Sequence, residues 1–143
     1  MSVVAWDGKT LAADRQSTNH GHKAICRKLW VVGDSAIAVT GSIAEGLAMK
    51  AWFEAGADPA EYPGFQGDKE RWCRLIVVTA DALLEYEQPC TPVPWPRDKP
   101  MAWGSGRDFA LGAMTAGADA IVAVEITNSL STETGFGVDA WSF

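Results

Sequence analysis

The amino-acid sequence predicts an α+β domain in which β-sheets are covered by helices on their outer faces. Three observations carry this reading. Strand and helix signals come in blocks rather than in strict alternation, the chain opens on a hairpin signal at Asp7-Gly8, and 48% of its 143 residues are hydrophobic against 21% charged. A chain of that size and composition forms one domain over residues 1–143 and buries roughly 70% of its unfolded surface.

Taken in order, Ser2 to Trp6 reads as a strand, Asp7-Gly8 as a tight turn and Thr10-Leu11-Ala12-Ala13 as the returning strand. Asn19 to His22 reads as a loop. Ile25 to Val32 forms a strand, Gly33-Asp34 a turn and Ser35 to Thr40 another strand. Ser42-Ile43-Ala44-Glu45 matches a capping box, in which serine oxygen and glutamate satisfy helix-terminal N–H groups. The helix it opens runs from Ile43 to about Ala55 and stops at Gly56. A polar loop from Asp58 to Arg71 leads into a hairpin, Leu75 to Thr79 and Ala82 to Tyr86, turning at Ala80-Asp81. Pro89 to Pro100 holds five prolines, which bars an interior strand or helix and makes it a rigid connector or a polyproline ligand. Met101-Ala102-Trp103 resumes a strand, and Gly104-Ser105-Gly106 opens a helix of small residues running to Gly117. Ala120 to Asn128 fits strand through its β-branched residues and helix through its Ala and Glu. Gly137 to Phe143 closes the chain as a strand, giving the order strands, helix, strands, helices, strand.

Composition narrows the function. A net charge of −6 without a Lys/Arg cluster argues against nucleic acid or an anionic membrane as partner. No apolar run approaches about 18 residues and no basic-then-apolar leader is present, so the expected location is the cytoplasm. Cys26, Cys73 and Cys90 are odd in number and lack a C-x-x-C pair, and His20 and His22 are the only histidines. A disulfide framework, a metal site and a cofactor are therefore not expected. Seven tryptophans point to core and subunit-interface packing, with a stacking platform for rings as the alternative.

Ser2 carries the chemistry. Removal of Met1, expected before so small a residue, leaves a serine with both a hydroxyl and a free α-amine. Such an amine, with an ordinary pKa of about 7.7 to 8, is matched to neutral pH as a general base for its own hydroxyl.

Five segments then resemble one family in order along the chain: Ser2-Val3-Val4-Ala5 with Asp7-Gly8-Lys9; Leu11-Ala12-Ala13-Asp14; Arg27-Lys28-Leu29; Ala38-Val39-Thr40-Gly41-Ser42; and Gly104-Ser105-Gly106. Together they are similar to the proteasome β-subunits, especially the HslV-like branch. The resemblance implies a four-layer α-β-β-α sandwich of the N-terminal-nucleophile hydrolase type. It places Ser2 as nucleophile, Asp14 at the acidic position ending the second strand, Lys28 as the active-site lysine, Gly41 as an oxyanion N–H donor and Ser105 as a supporting hydroxyl. Near the C-terminus the family carries an acid and a serine before paired glycines. Here Ser131 replaces the acid while Thr134 keeps the hydroxyl, and Glu133 is the nearest substitute charge. The implied activity is hydrolysis of peptides or unfolded proteins by a homo-oligomeric ring fed by an ATP-dependent unfoldase. A ring scaffold without catalysis, and an amidohydrolase acting on a small amide, are the alternatives.

Overall fold

The computed structural model describes residues 2–64 and 71–143; Met1, and part of the predicted polar loop, lie outside the described residues. Strand β1 (Val4–Trp6) pairs antiparallel with β2 (Thr10–Asp14), Val4 opposite Ala13 and Trp6 opposite Leu11. The turn between them is held by Asp7, whose Oδ1 accepts from the N–H groups of Lys9 (2.9 Å) and Thr10 (2.8 Å).

The predicted loop around the histidines is instead the tip of a second hairpin, β3 (Gln16–Asn19) with β4 (His22–Ile25). His20 and Gly21 form its two-residue turn with φ of 49° and 79°, the conformation that matches strand twist. The strand expected from Ile25 to Val32 is also broken. Cys26 leaves the ribbon, donating its N–H to Arg15 O (2.7 Å), and only Leu29–Val32 forms β5. The intervening Lys28 turns inward to meet a buried acid, a tertiary demand that overrides strand propensity.

Strand β6 (Ser35–Gly41) runs into helix α1 (Ile43–Glu54). The predicted capping box is not formed: the Ser42 side chain makes no cap bond. The far end behaves as expected, with Gly56 N–H donating to Phe53 O and Ala57 N–H to Trp52 O, both at 3.1 Å, the paired bonds of a glycine stop. Beyond a short 3-10 turn at Pro59–Glu61 come β7 (Cys73–Val78), β8 (Leu83–Tyr86), β9 (Val93–Trp95) and β10 (Met101–Trp103). The proline-rich segment supplies β9 only as an exposed edge strand, where Pro94 sits opposite Leu84 without breaking an interior ladder. Helices α2 (Arg107–Thr115) and α3 (Ala120–Leu130) precede the final strand β11 (Val138–Ser142). The ambiguous segment is helical because Asp119 caps it, accepting from Val122 N–H at 2.8 Å, and because Ala120, Ala123, Val124 and Thr127 fall on one buried stripe.

Beside the two-stranded β3-β4 ribbon, the described residues form two larger sheets, ordered β10-β1-β2-β11 and β5-β6-β7-β8-β9. Period-two alternation sorts their side chains into layers. Val4, Trp6, Leu11 and Ala13 of one sheet meet Leu29, Ala36, Ala38, Ile76 and Val78 of the other. On the outer faces Val3, Ala5 and Ala12 pack under α2 and α3, while Ile37, Val39, Leu75 and Val77 pack under α1 with Met49 and Trp52. The molecule is thus a four-layer α-β-β-α sandwich, and its first strand is central to a sheet. Ser2 is pinned at the head of that strand.

Candidate active site

Ser2 is 2% exposed although it precedes the first strand. Three contacts hold it: its nitrogen donates to Ser105 Oγ (3.2 Å), the Ser105 hydroxyl donates to Ser2 O (3.3 Å), and Gly106 N–H donates to the same oxygen (3.1 Å). Such closeness requires a glycine beside it. A Cβ on Gly104, which has φ +94°, would run into the Ser2 carbonyl. The Ser2 hydroxyl is buried without a hydrogen-bond partner among the described residues, which is costly unless it serves a purpose.

Asp14, at the end of β2, is fully buried. Its Oδ1 accepts from Lys28 Nζ (2.9 Å) and Val3 N–H (3.0 Å), and its Oδ2 from Gln16 N–H (3.1 Å) and Gly135 N–H (3.2 Å). Four donors satisfy the carboxylate, so an otherwise expensive buried charge is stabilised and fixes Lys28, itself 5% exposed. The bond to Val3 N–H also ties this pair to the residue next to Ser2.

Ser2, Lys28, Gly41 and Ser105 line one cleft of about 830 Å³, together with Gln16, Trp72 and others. Gly41 adopts φ +94°, and a Cβ there would lie 2.5 Å from Trp72 O, so the peptide at this rim stays bare of side chain. Thr134 does not line the cleft. It sits behind it, 3% exposed with its hydroxyl unpartnered among the described residues, while the adjacent Gly135 holds Asp14. Ser131, at the position where the resemblance expects an acid, accepts from Glu133 N–H (3.1 Å) as a local turn. His20 and His22 are exposed on the second hairpin, and among the described residues no group of three or more His, Cys, Asp or Glu converges to hold a metal.

Sequence reasoning missed three residues of this cleft. Gln16 is buried and donates from Nε2 to Thr132 O (3.0 Å) and Thr18 Oγ1 (3.2 Å), tying the wall strand to the C-terminal loop. Arg74 and Arg107 also line it. Only Arg107 left a readable signal: a cation in the first turn of a helix opposes the helix dipole and asks for another reason to be there.

No protein-family model and no curated protein matches the chain. Solved structures do. The chain is similar to Thiobacillus denitrificans BPH in complex with epoxomicin (TM-score 0.77, 22% identity, covering 100% of this chain and 98% of that one). It is similar also to a second structure of Thiobacillus denitrificans BPH (TM-score 0.76, 22% identity, 100% and 97% covered). A eukaryotic HslV from Trypanosoma brucei matches at TM-score 0.70 and 22% identity, with 98% and 97% covered. At this level of identity the likeness shows the fold: a four-layer α-β-β-α sandwich of the HslV-like proteasome β-subunit type, as the five sequence segments implied.

Proposed function

We propose that the chain is a peptidase subunit with Ser2 as its N-terminal nucleophile once Met1 is removed, acting within a homo-oligomeric ring. The observation that carries this is Ser2 itself: a buried serine, its nitrogen bonded to Ser105, its hydroxyl unpartnered among the described residues, at the wall of a cleft that Lys28 also lines, with Asp14 bonded to Lys28 behind it. The free α-amine takes the hydroxyl proton as Oγ attacks the scissile carbonyl carbon. The tetrahedral oxyanion is met by backbone N–H donors, with Gly41 the candidate, an interaction whose loss typically costs about 3 to 4 kcal/mol. Collapse breaks the C–N bond, the proton passes to the leaving amine, and water then hydrolyses the ester on Ser2. Lys28 contributes positive charge and Ser105 orients the amine.

A second reading, a ring scaffold without turnover, draws on Ser131. Its hydroxyl closes a local turn where the resemblance expects a carboxylate, so the amine lacks one orienting charge.

Intact mass spectrometry and fluorogenic peptides of varied sequence, with and without an ATP-dependent unfoldase, test both. Protein with a free Ser2 is expected to hydrolyse peptides and to gain the mass of one epoxomicin at Ser2. Ser2→Ala abolishes both, Ser2→Thr retains hydrolysis, and Lys28→Ala lowers it severely. Free Ser2 with neither turnover nor adduct would favour the scaffold.

A further inference from the structure

The charged side chains lining the cleft are cations, although the chain as a whole is acidic. The chain has 18 acidic residues against 12 basic, yet among the described residues lining the cleft are Lys28, Arg74 and Arg107 and no Asp or Glu. The three cations are not equivalent. Lys28 is matched by buried Asp14 at 2.9 Å. Arg74 shares its Nε between Glu85 (3.0 Å) and Glu87 (2.6 Å) and stacks on Trp72, 5.0 Å from the ring centre. Among the described residues, the one carboxylate paired with Arg107 is that of its sequence neighbour Asp108 at 3.7 Å, with side chains 60% and 90% exposed. A pair so exposed contributes little and leaves the guanidinium available.

Arg107 is also close to the nucleophile. Its Nη1 donates to Gly104 O at 3.4 Å, and Gly104 packs directly on the backbone of Ser2. A cation in this place is disfavoured by the dipole of α2, which it heads. It gains a compensating partner when a carboxylate sits in the cleft.

We infer that the cleft selects substrates carrying a carboxylate close to the scissile bond, an acidic side chain or a free chain end, with Arg107 as the specificity-determining residue and Arg74 in support. This rests on the peptidase reading of the same cleft. Arginine suits the task because its planar fork meets a carboxylate with two parallel N–H bonds.

The test separates binding from turnover. Calorimetry on the full chain carrying Ser2→Ala compares three acetylated pentapeptides: Ala-Ala-Glu-Ala-Ala amide, its Gln counterpart as the amide, and the Gln peptide with a free C-terminal carboxylate. At least one carboxylate peptide is expected to bind about three- to fivefold more tightly than the neutral one, the scale of an exposed ion pair. Which of the two does so identifies the source of the carboxylate. Arg107→Gln erases the preference, Arg107→Lys keeps part of it, and roughly tenfold more salt weakens it. Absence of any carboxylate preference, whether all three bind equally or none binds, overturns the inference, as does a preference that survives Arg107→Gln. Cleavage by the chain with Ser2 intact is scored independently: selective binding without cleavage sinks the peptidase reading alone, and cleavage without selectivity sinks this inference alone.

Discussion

Cys73 shows how one residue links sequence, burial and pH. It opens β7 beneath α1, 1% exposed. Burial, with the nearby Glu45 carboxylate second, pushes its thiol from the ordinary 9.0 up to about 12. In the unfolded chain the thiol loses its proton near 9, whereas in the fold it keeps it, so alkali favours unfolding. The stabilising contribution is complete below pH 9 and is lost as pH climbs from 9 towards 12. Tyr62, packed edge-on against Trp52, is raised by burial too and acts in the same direction. Urea midpoints are expected to fall across this range, less steeply in Cys73→Ala, and iodoacetamide should spare Cys73 at pH 9 in the folded protein. Alkylation there at the rate of an unfolded cysteine would refute this account.

Between elements, a single carboxylate joins the two sheets. Glu85 on β8 is 6% exposed, and its Oε2 accepts from Trp95 Nε1 (2.7 Å) on β9 and Trp103 Nε1 (2.8 Å) on β10. Since β10 belongs to the other sheet, the carboxylate fixes how the sandwich closes at the end of the strand leading to Gly104 and Ser105. Trp95 and Trp103 are therefore hydrogen-bond anchors as well as apolar bulk. Glu85→Ala leaves two indole N–H groups and part of Arg74 unpaired and is expected to cost about 3 to 4 kcal/mol in urea unfolding. Glu85→Gln, which keeps an acceptor, costs less. Equal stability of Glu85→Ala and the parent would show that water replaces the carboxylate.

At the scale of the molecule, the outer helix layer is unusually apolar. Phe109, Leu111, Ile121, Val122 and Ile126 on α2 and α3 are each between 36% and 46% exposed. Monomeric surfaces scatter such residues, whereas two adjacent helices here gather them, the pattern of a face that a second copy covers. Light scattering at micromolar concentration is expected to report a homo-oligomer, and Phe109→Asp with Ile126→Asp to dissociate it while the circular dichroism stays unchanged. A monomeric parent would remove the ring from the proposed function. Among the described residues no helix is long and apolar enough to cross a membrane.

Local signals determined a large share of this protein. Turn residues, period-two alternation and the glycine stop placed the first hairpin, β6, α1, the β7–β8 hairpin and β11 from the sequence, because each is decided by neighbours within a few positions. Ordered motifs singled out Ser2, Lys28, Gly41 and Ser105, which the fold gathers in one cleft, and Asp14 beside them. What depended on distant partners was not legible. The break at Cys26 to Lys28 exists because Lys28 must reach an acid 14 positions earlier, and the helical choice at Ala120 rests on packing against β1 and β2. Gln16, Arg74 and Arg107 join the site only through contacts made by folding. A single chain records each residue's chemistry, but which groups meet, and which charges are left without a partner, is settled by long-range packing of the two sheets and their helices.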